Sequence, residues 1–207
     1  MDVWTTYSPH IDRSRLVFAG TESDGSAIYV GRAHHSNDLI PGKLLTGQGL
    51  GHRCHVSYDG QEHSKEQSEV LINNNYTWVS SSDGNVPQNA VVGGQTASGE
   101  ILYVGRASHC GILTPGKVHP SHRCLYLPFG WKEHRYTCYE VLVRTSNSGC
   151  NPHPPCNPTC PCPPPVQPPV CPPPVQPPVC PPQRPPICIP ICKPGHKHGH
   201  KHGHRRC

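Results

Sequence analysis

Short runs of alternating apolar and polar residues, rich in β-branched and aromatic side chains, dominate the first 147 residues. Residues 27–33 read AIYVGRA, and residues 101–104 have the same character. This alternation is typical of strands with one buried face. Residues 70–72 and 139–143 are expected to form closing strands. No stretch has the period of 3.6 residues that marks a helix, so the pattern predicts an all-β, antiparallel head.

Turn dipeptides separate these runs. Asp-Gly pairs occur at 24–25, 59–60 and 83–84, and Pro-Gly pairs occur at 41–42 and 115–116. Both kinds of pair favour tight turns, because they supply backbone angles that other residues adopt with strain. We therefore expect a turn at each position.

The head is an internal duplication. When the sequence is shifted by 74 residues, and by slightly less after residue 50, seven anchors align in the same order. Such a period predicts two tandem units, residues 1–73 and 74–146, related by a pseudo-two-fold axis. The aligned anchors are Trp4 with Trp78, Gly20 with Gly94, YVGRA at 29–33 with 103–107, PGK at 41–43 with 115–117, HRC at 52–54 with 122–124, EH at 62–63 with 133–134 and EVL at 69–71 with 140–142.

Composition changes sharply after the second unit. Residues 150–207 hold 21 of the 27 prolines and 9 of the 13 cysteines, with six basic residues and no acidic one. Such a segment cannot bury enough apolar surface to offset its ordering entropy. We predict a disordered, polyproline-II-like tail over residues 147–195 and a basic end over 196–207, and the tail carries the net charge of +5.

A nine-residue repeat, CPPPVQPPV, begins at Cys162 and Cys171, with a worn copy at Cys180. In polyproline II these cysteines fall on one edge, about 28 Å apart. That spacing forbids a disulfide within the rod and suits cross-linking between rods. The alternative is an extended stalk with reduced thiols.

The end of the tail alternates histidine with lysine and glycine. Neutral imidazoles at this density can chelate Zn, Cu or Ni. The alternative is a solvated, pH-sensitive basic tail without a metal. No other cofactor is expected. The histidines concerned are His196, His198, His200, His202 and His204.

Several classes of protein lack support in the sequence. There is no nucleophile elbow, HExxH motif or phosphate loop, so we expect no enzymatic activity. No run could span a bilayer, and the basic tail lacks interleaved aromatic residues, so membrane insertion and nucleic-acid binding are not expected. No secretory signal is recognisable, and a cytoplasmic or unconventionally secreted protein is expected.

The order W…AG…IYVGRA…L-PGK…H…EH…YEVLV, which recurs with a few substitutions in both units of residues 1–144, resembles the DM-nine repeat family of natterin-like proteins and mannose-binding invertebrate lectins. The resemblance implies tandem antiparallel β units. It also implies lectin activity toward mannose-type glycans and a role in innate defence.

The resemblance further implies a ligand pair. An acidic residue two positions after the AG pair and the lysine of PGK correspond to Glu22 and Lys43. In the second unit these positions are Thr96 and Lys117, so the carboxylate is missing there. Asp24 is an alternative acid if the turn is placed differently.

The pair is chemically suited to a sugar. A carboxylate accepts hydrogen bonds from adjacent hydroxyls, and an ammonium group donates to a ring or hydroxyl oxygen. An aromatic face would cover the C–H surface of the sugar, with Tyr29, Trp4 and Trp78 as candidates. The alternative is an exposed ion pair without a ligand.

Other repeated residues are expected to be structural. Arg32 and Arg106 lie in the central strands and need an acid, either the Glu62/Glu133 pair or the Glu69/Glu140 pair. His63 and His134 are expected to be structural strand histidines. Cys54 and Cys124 could be reactive thiols beside arginine, packed thiols, or partners in one disulfide.

The sequence therefore predicts a carbohydrate-binding recognition protein. A homodimer or a disulfide-linked oligomer would raise its avidity. The alternative is a structural or matrix protein that is cross-linked through its tail.

Overall fold

The computed structural model describes residues 2–47, 52–72 and 75–145. These residues form fourteen strands and one 3₁₀ turn at Arg13–Arg15, and every strand pairing is antiparallel. The prediction of an all-β, antiparallel head is confirmed. The strands are β1 (Trp4–Thr6), β2 (Phe18–Thr21), β3 (Ala27–His35), β4 (Asp38–Leu45), β5 (Arg53–Tyr58), β6 (Gln61–Lys65), β7 (Glu69–Leu71), β8 (Tyr76–Ser82), β9 (Val92–Gln95), β10 (Ile101–His109), β11 (Ile112–His119), β12 (Cys124–Phe129), β13 (Lys132–Tyr136) and β14 (Cys138–Arg144).

The sheet has a palindromic order that follows from the duplication. Along its main path the strands run β1-β7-β3-β4-β5-β6-β13-β12-β11-β10-β14-β8. Each strand of the first repeat has its counterpart at the mirrored place, so the pseudo-two-fold axis passes between β6 and β13. At this seam Lys132 pairs with Gln61.

The core joins the repeats instead of separating them. One buried cluster contains Ile28, Val30 and Leu71 of the first repeat together with Val104 and Leu142 of the second. Two further clusters lie one within each repeat. Alternate residues of the predicted strands supply these side chains, as the period of two requires.

The second strand of each repeat crosses to the other repeat. β2 pairs with β3 and packs against β11, while β9 pairs with β10 and also with β4. The Gly20 and Gly94 anchors recur because of this close packing against the other repeat. A Cβ atom on Gly20 would clash with the Leu113 carbonyl oxygen, and one on Gly94 would clash with the Leu39 carbonyl oxygen.

The three Asp-Gly turns are confirmed, but the two Pro-Gly turns are wrong. Pro41-Gly42 lies inside β4, and residues 115–116 lie inside β11. Gly42 is needed because the His55 carbonyl oxygen of β5 occupies the space of a Cβ. Pro41 is tolerated because it lies just before the residues of β4 that pair with β5, which begin at Lys43.

The strand arginines have the structural role expected of them. Arg32 Nε donates to Glu69 Oε2 at 2.7 Å, and Arg106 Nε donates to Glu140 Oε2 at 2.6 Å. The guanidinium groups lie 4.3 and 4.2 Å from the rings of Trp4 and Trp78, respectively. The acids are therefore the Glu69/Glu140 pair, and both tryptophans stack on arginine.

The same arginines also tie the repeats together. Nη1 of Arg32 reaches the Gly93 carbonyl oxygen at 3.4 Å, and Nη1 of Arg106 donates to the Ala19 carbonyl oxygen at 2.9 Å. Each guanidinium group therefore binds an acid of its own repeat and the crossing strand of the other.

Of the three alternatives for Cys54 and Cys124, the disulfide is excluded, because both residues are buried free thiols. Burial raises the pKa of Cys54 to about 12, so the thiolate that a reactive cysteine needs does not form at neutral pH. Packed thiols are the alternative that the structure supports. The predictions for the tail, including Cys162, Cys171, Cys180 and the five tail histidines, lie outside the described residues.

We expect Gly20→Ala to destabilise the head by roughly 2–3 kcal/mol, because the added Cβ would meet backbone that cannot move aside. The midpoint of urea unfolding measures this loss. Gly47→Ala is the matched control, since nothing lies within 4 Å of a Cβ at Gly47. Equal midpoints for the two variants would contradict the close crossing of the repeats.

Candidate functional site

Lys43 is a buried lysine whose ammonium group lies between two carboxylates. It sits in β4 opposite His55 of β5, and its residue exposure is 5%. Its Nζ atom lies 3.4 Å from Glu22 Oε1 and 3.4 Å from Glu62 Oε1. We refer to Glu22, Lys43 and Glu62 as the Lys43 cluster.

The turn after β2 sets the position of Glu22. The Glu22 amide donates to the Ser26 carbonyl oxygen at 2.8 Å, and the Gly25 amide donates to the Glu22 carbonyl oxygen at 3.0 Å. Gly25 has a φ of +85°, which closes this turn. Glu22 is the most exposed member of the cluster, with 17% of its side chain accessible.

Glu62 in β6 is the anchored acid of the cluster. His55 Nδ1 lies 3.1 Å from its Oε1 atom, and the Trp131 amide donates to its Oε2 atom at 2.7 Å. Burial alone would raise the pKa of Glu62, but the His55 hydrogen bond and the Lys43 charge outweigh burial and hold the pKa at about 2. Glu62 is therefore ionised at neutral pH.

Aromatic residues from the second repeat lie next to the cluster. The Phe129 ring lies 5.1 Å from Lys43 Nζ. His109 packs 4.6 Å from Phe129 and 4.1 Å from His134. Burial, followed by the charges of His134 and Lys43, lowers the pKa of His109 to about 4. This imidazole is therefore neutral at physiological pH and adds no charge to the cluster.

The second repeat builds a related but more saturated cluster around Lys117. Its Nζ atom donates to the Ser57 carbonyl oxygen at 2.7 Å and lies 3.1 Å from Glu133 Oε1. The rings of Tyr58 and Tyr126 lie 5.5 and 5.3 Å from Nζ. The ammonium group is thus already held by its own chain.

An acid from the first repeat lies beside Thr96, which carries no carboxylate itself. Asp38 is buried at the start of β4, and its Oδ1 atom accepts the Ala97 amide at 2.7 Å. Thr96 Oγ1 instead lies 2.9 Å from Ser98 Oγ and accepts the Glu100 amide. The two repeats therefore surround their lysines differently.

The structure brings Glu22 and Lys43 together but keeps Asp24 apart from them. Asp24 is exposed, and its Oδ1 atom accepts the Ser26 amide at 2.8 Å within the turn. This hydrogen bond lowers the pKa of Asp24. Tyr29 packs against a core cluster of the first repeat.

The sequence reasoning missed Glu62 and Phe129 as members of the Lys43 surroundings. The repeated EH pair at 62–63 is a usable signal for Glu62, but from the sequence its glutamate is equally a candidate partner of the strand arginines. Phe129 belongs to the other repeat, and no spacing within one repeat could indicate it. The EH histidines are strand residues, with His63 stacked 3.9 Å from His35 and His134 Nε2 2.9 Å from the Phe129 carbonyl oxygen.

Residues 2–47, 52–72 and 75–145 contain no group of three or more His, Cys, Asp or Glu side chains arranged to hold a metal ion. Over the same residues, no helix has the length and apolar character needed to cross a membrane.

Comparison with known proteins gives a family match and distant relatives. The sequence profile of the DM9 repeat matches residues 22–136, more than half of the chain. Natterin-3 of Thalassophryne nattereri is 38% identical over 97 residues, which cover 45% of this chain and 24% of natterin-3. Natterin-4 of the same species is 31% identical over 143 residues, which cover 67% of this chain and 33% of natterin-4. The chain thus spans between a quarter and a third of the length of these two relatives.

A solved structure shares the fold. The crystal structure of the nematode sperm cell motility protein MFP2B matches with a TM-score of 0.54 and 10% sequence identity. The match covers 71% of this chain and 48% of that one. At this identity the likeness concerns the fold alone.

Lowering the pH should destabilise the head, because the Glu62 carboxylate becomes protonated. Its pKa in the folded state lies below the ordinary 4.5, so the carboxylate stabilises the fold above pH 4.5, and this contribution is lost as the pH falls toward about 2. Glu62→Gln should therefore cost on the order of 2–3 kcal/mol at neutral pH and should flatten the pH dependence below 4.5. Urea unfolding of both proteins between about pH 7 and pH 3 measures this.

Glu66→Gln is the control for this experiment, because 75% of the Glu66 side chain is accessible in its ion pair with Arg53. This variant should follow the wild-type stability curve. Parallel curves for wild type and Glu62→Gln below pH 4.5 would contradict the depressed pKa.

Proposed function

This chain belongs to the DM9 repeat family, and we propose that it is a carbohydrate-binding recognition protein. The proposed ligands are mannose-type glycans, the proposed binding site is the Lys43 cluster, and the proposed role is recognition of such glycans in innate defence. We propose binding without catalysis.

The proposal rests on the arrangement of Glu22 and Lys43. The Glu22 carboxylate is partly accessible, and Lys43 Nζ is the side-chain partner described for it, at 3.4 Å. Carboxylate oxygens have about four acceptor positions. Most of these remain available to adjacent sugar hydroxyls, while the ammonium group can donate to a third oxygen.

Glu62 and Phe129 support the pair. Glu62 is held by the Trp131 amide at 2.7 Å, so it fixes the ammonium group from the inner side. Phe129 places an apolar ring 5.1 Å from Lys43 Nζ. A preorganised lysine with one partly accessible carboxylate beside it can bind a polar ligand with little rearrangement.

The Lys117 cluster is proposed to contribute less. Lys117 Nζ already has a carbonyl oxygen at 2.7 Å and a carboxylate oxygen at 3.1 Å, and Thr96 provides no carboxylate at the place of Glu22. One working site per chain would bind weakly. Avidity would then come from association of chains, which is why a polymeric glycan belongs in the assay.

We expect the full-length protein to bind mannose and a mannose polymer saturably in the presence of a chelator, and Glu22→Gln to raise the Kd at least tenfold. The amide keeps the shape of the side chain but loses the charge, so hydrogen bonds from hydroxyls weaken by about 1.5 kcal/mol or more. Isothermal titration calorimetry measures both proteins.

Asp24→Asn is the matched control. Asp24 is an exposed acid in the same turn that does not contact Lys43, and this variant should keep at least half of the affinity. Thermal unfolding of every variant separates lost binding from lost folding. Absence of binding by the wild type would refute the proposed function, and equal losses in Asp24→Asn and Glu22→Gln would refute the proposed site.

A further inference from the structure

Trp131 has a backbone conformation that destabilises the fold. It lies in the turn between β12 and β13 with a φ of +67°, a conformation that bulky residues adopt only with strain. Its side chain is also exposed, with a residue accessibility of 74%. At the equivalent place in the first repeat stands Gly60, whose φ of +76° is unstrained for glycine.

The rest of the fold gains little from this indole. Within the described parts of the chain, Trp131 takes part in no ring stacking or cation–π contact, whereas Trp4 and Trp78 both stack on arginine. Its backbone amide is used, but an amide is available from any residue except proline. A strained and exposed aromatic side chain therefore requires an explanation outside the packing of the head.

The position of Trp131 next to the Lys43 cluster suggests an explanation for the exposed indole. Its amide lies 2.7 Å from Glu62 Oε2, and Glu62 Oε1 lies 3.4 Å from Lys43 Nζ. Phe129, two residues earlier in the same hairpin, lies 5.1 Å from that Nζ atom. The hairpin of the second repeat thus brings the Phe129 ring and the backbone amide of Trp131 to the cluster of the first.

We propose that the Trp131 indole is the aromatic platform of the Lys43 site and covers the C–H face of a bound pyranose. This inference rests on the proposed function. Hydroxyls on one edge of the sugar would bind Glu22 and Lys43, while the apolar face of the ring would stack on the indole. Stacking removes from water both the sugar face and a tryptophan that is otherwise exposed.

The same residue distinguishes the two sites. Gly60 offers no side chain at the corresponding place beside Glu133, although its amide donates to Glu133 Oε2 at 2.9 Å. The Lys117 cluster therefore lacks both the accessible acid and the platform. Trp131 determines which cluster binds, and it selects ligands with a continuous C–H face.

The test compares the full-length wild type with Trp131→Gly and Trp131→Phe by titration with a mannose polymer. Trp131→Gly should weaken binding about fivefold to tenfold, and Trp131→Phe should recover most of the affinity, because it retains an aromatic ring. Trp131→Gly should unfold at the same or a higher urea concentration, since glycine relieves the positive φ. Phe18→Ala, which removes another exposed aromatic residue, should bind like the wild type.

Tryptophan fluorescence provides a second readout. The wild-type emission should shift to shorter wavelength on saturation with the polymer, and this shift should be absent in Trp131→Gly. Emission that responds to phosphatidylcholine vesicles and not to the polymer would overturn the proposal in favour of a lipid surface.

The remaining outcomes separate the two proposals. If Glu22→Gln abolishes binding while Trp131→Gly binds like the wild type, the platform is refuted and the proposed function stands. If the wild type does not bind the polymer, both fail. If Trp131→Gly unfolds at a lower urea concentration than the wild type, the indole stabilises the fold, and the proposal is overturned.

Discussion

The structure depends on two glutamates that each bind polar groups from both repeats. Glu62 contacts the lysine of its own repeat and accepts the Trp131 amide of the other. Glu133 contacts Lys117 and accepts the Gly60 amide. A buried ammonium group without a nearby carboxylate would be very costly, and so would a buried carboxylate without donors. The seam between the repeats is therefore held by backbone amides that each repeat donates to the buried glutamate of the other.

The crossing strands β2 and β9 also connect the two repeats, through close backbone packing. β2 and β9 pair within their own repeats and also pack against the other repeat, and glycine is required where they approach β11 and β4. Arg32 and Arg106 then reach carbonyl oxygens of the crossing strands, with a tryptophan ring beneath each guanidinium group. A central core cluster drawn from both repeats completes the connection. The structural unit is consequently the pair of repeats.

Duplication also explains why the two lysine clusters could diverge. Each lysine keeps its strand position and its glutamate, so the fold retains both charges. The balance of these buried charges does not depend on Glu22, the partly accessible acid of the turn, or on Trp131, the aromatic residue of the opposite hairpin. They differ between the clusters: Glu22 corresponds to Thr96, and Trp131 corresponds to Gly60. Structural need thus maintains the core of both sites, while the groups proposed to select a ligand vary.

The sequence alone determined the all-β class, the two repeats, the Asp-Gly turns and the pairing of the strand arginines with acids, because each depends on local periodicity or on a motif that recurs. It also indicated Glu22 and Lys43, through a family resemblance. Tertiary structure alone decided that Pro41-Gly42 lies within a strand. The glycine is needed there because the His55 carbonyl oxygen of a neighbouring strand fills the space of a Cβ atom. It likewise decided that Glu62 joins Lys43 and that Phe129 and Trp131 come from the other repeat. These contacts link residues more than sixty positions apart or reassign a partner among several acids, and no local pattern encodes such a choice.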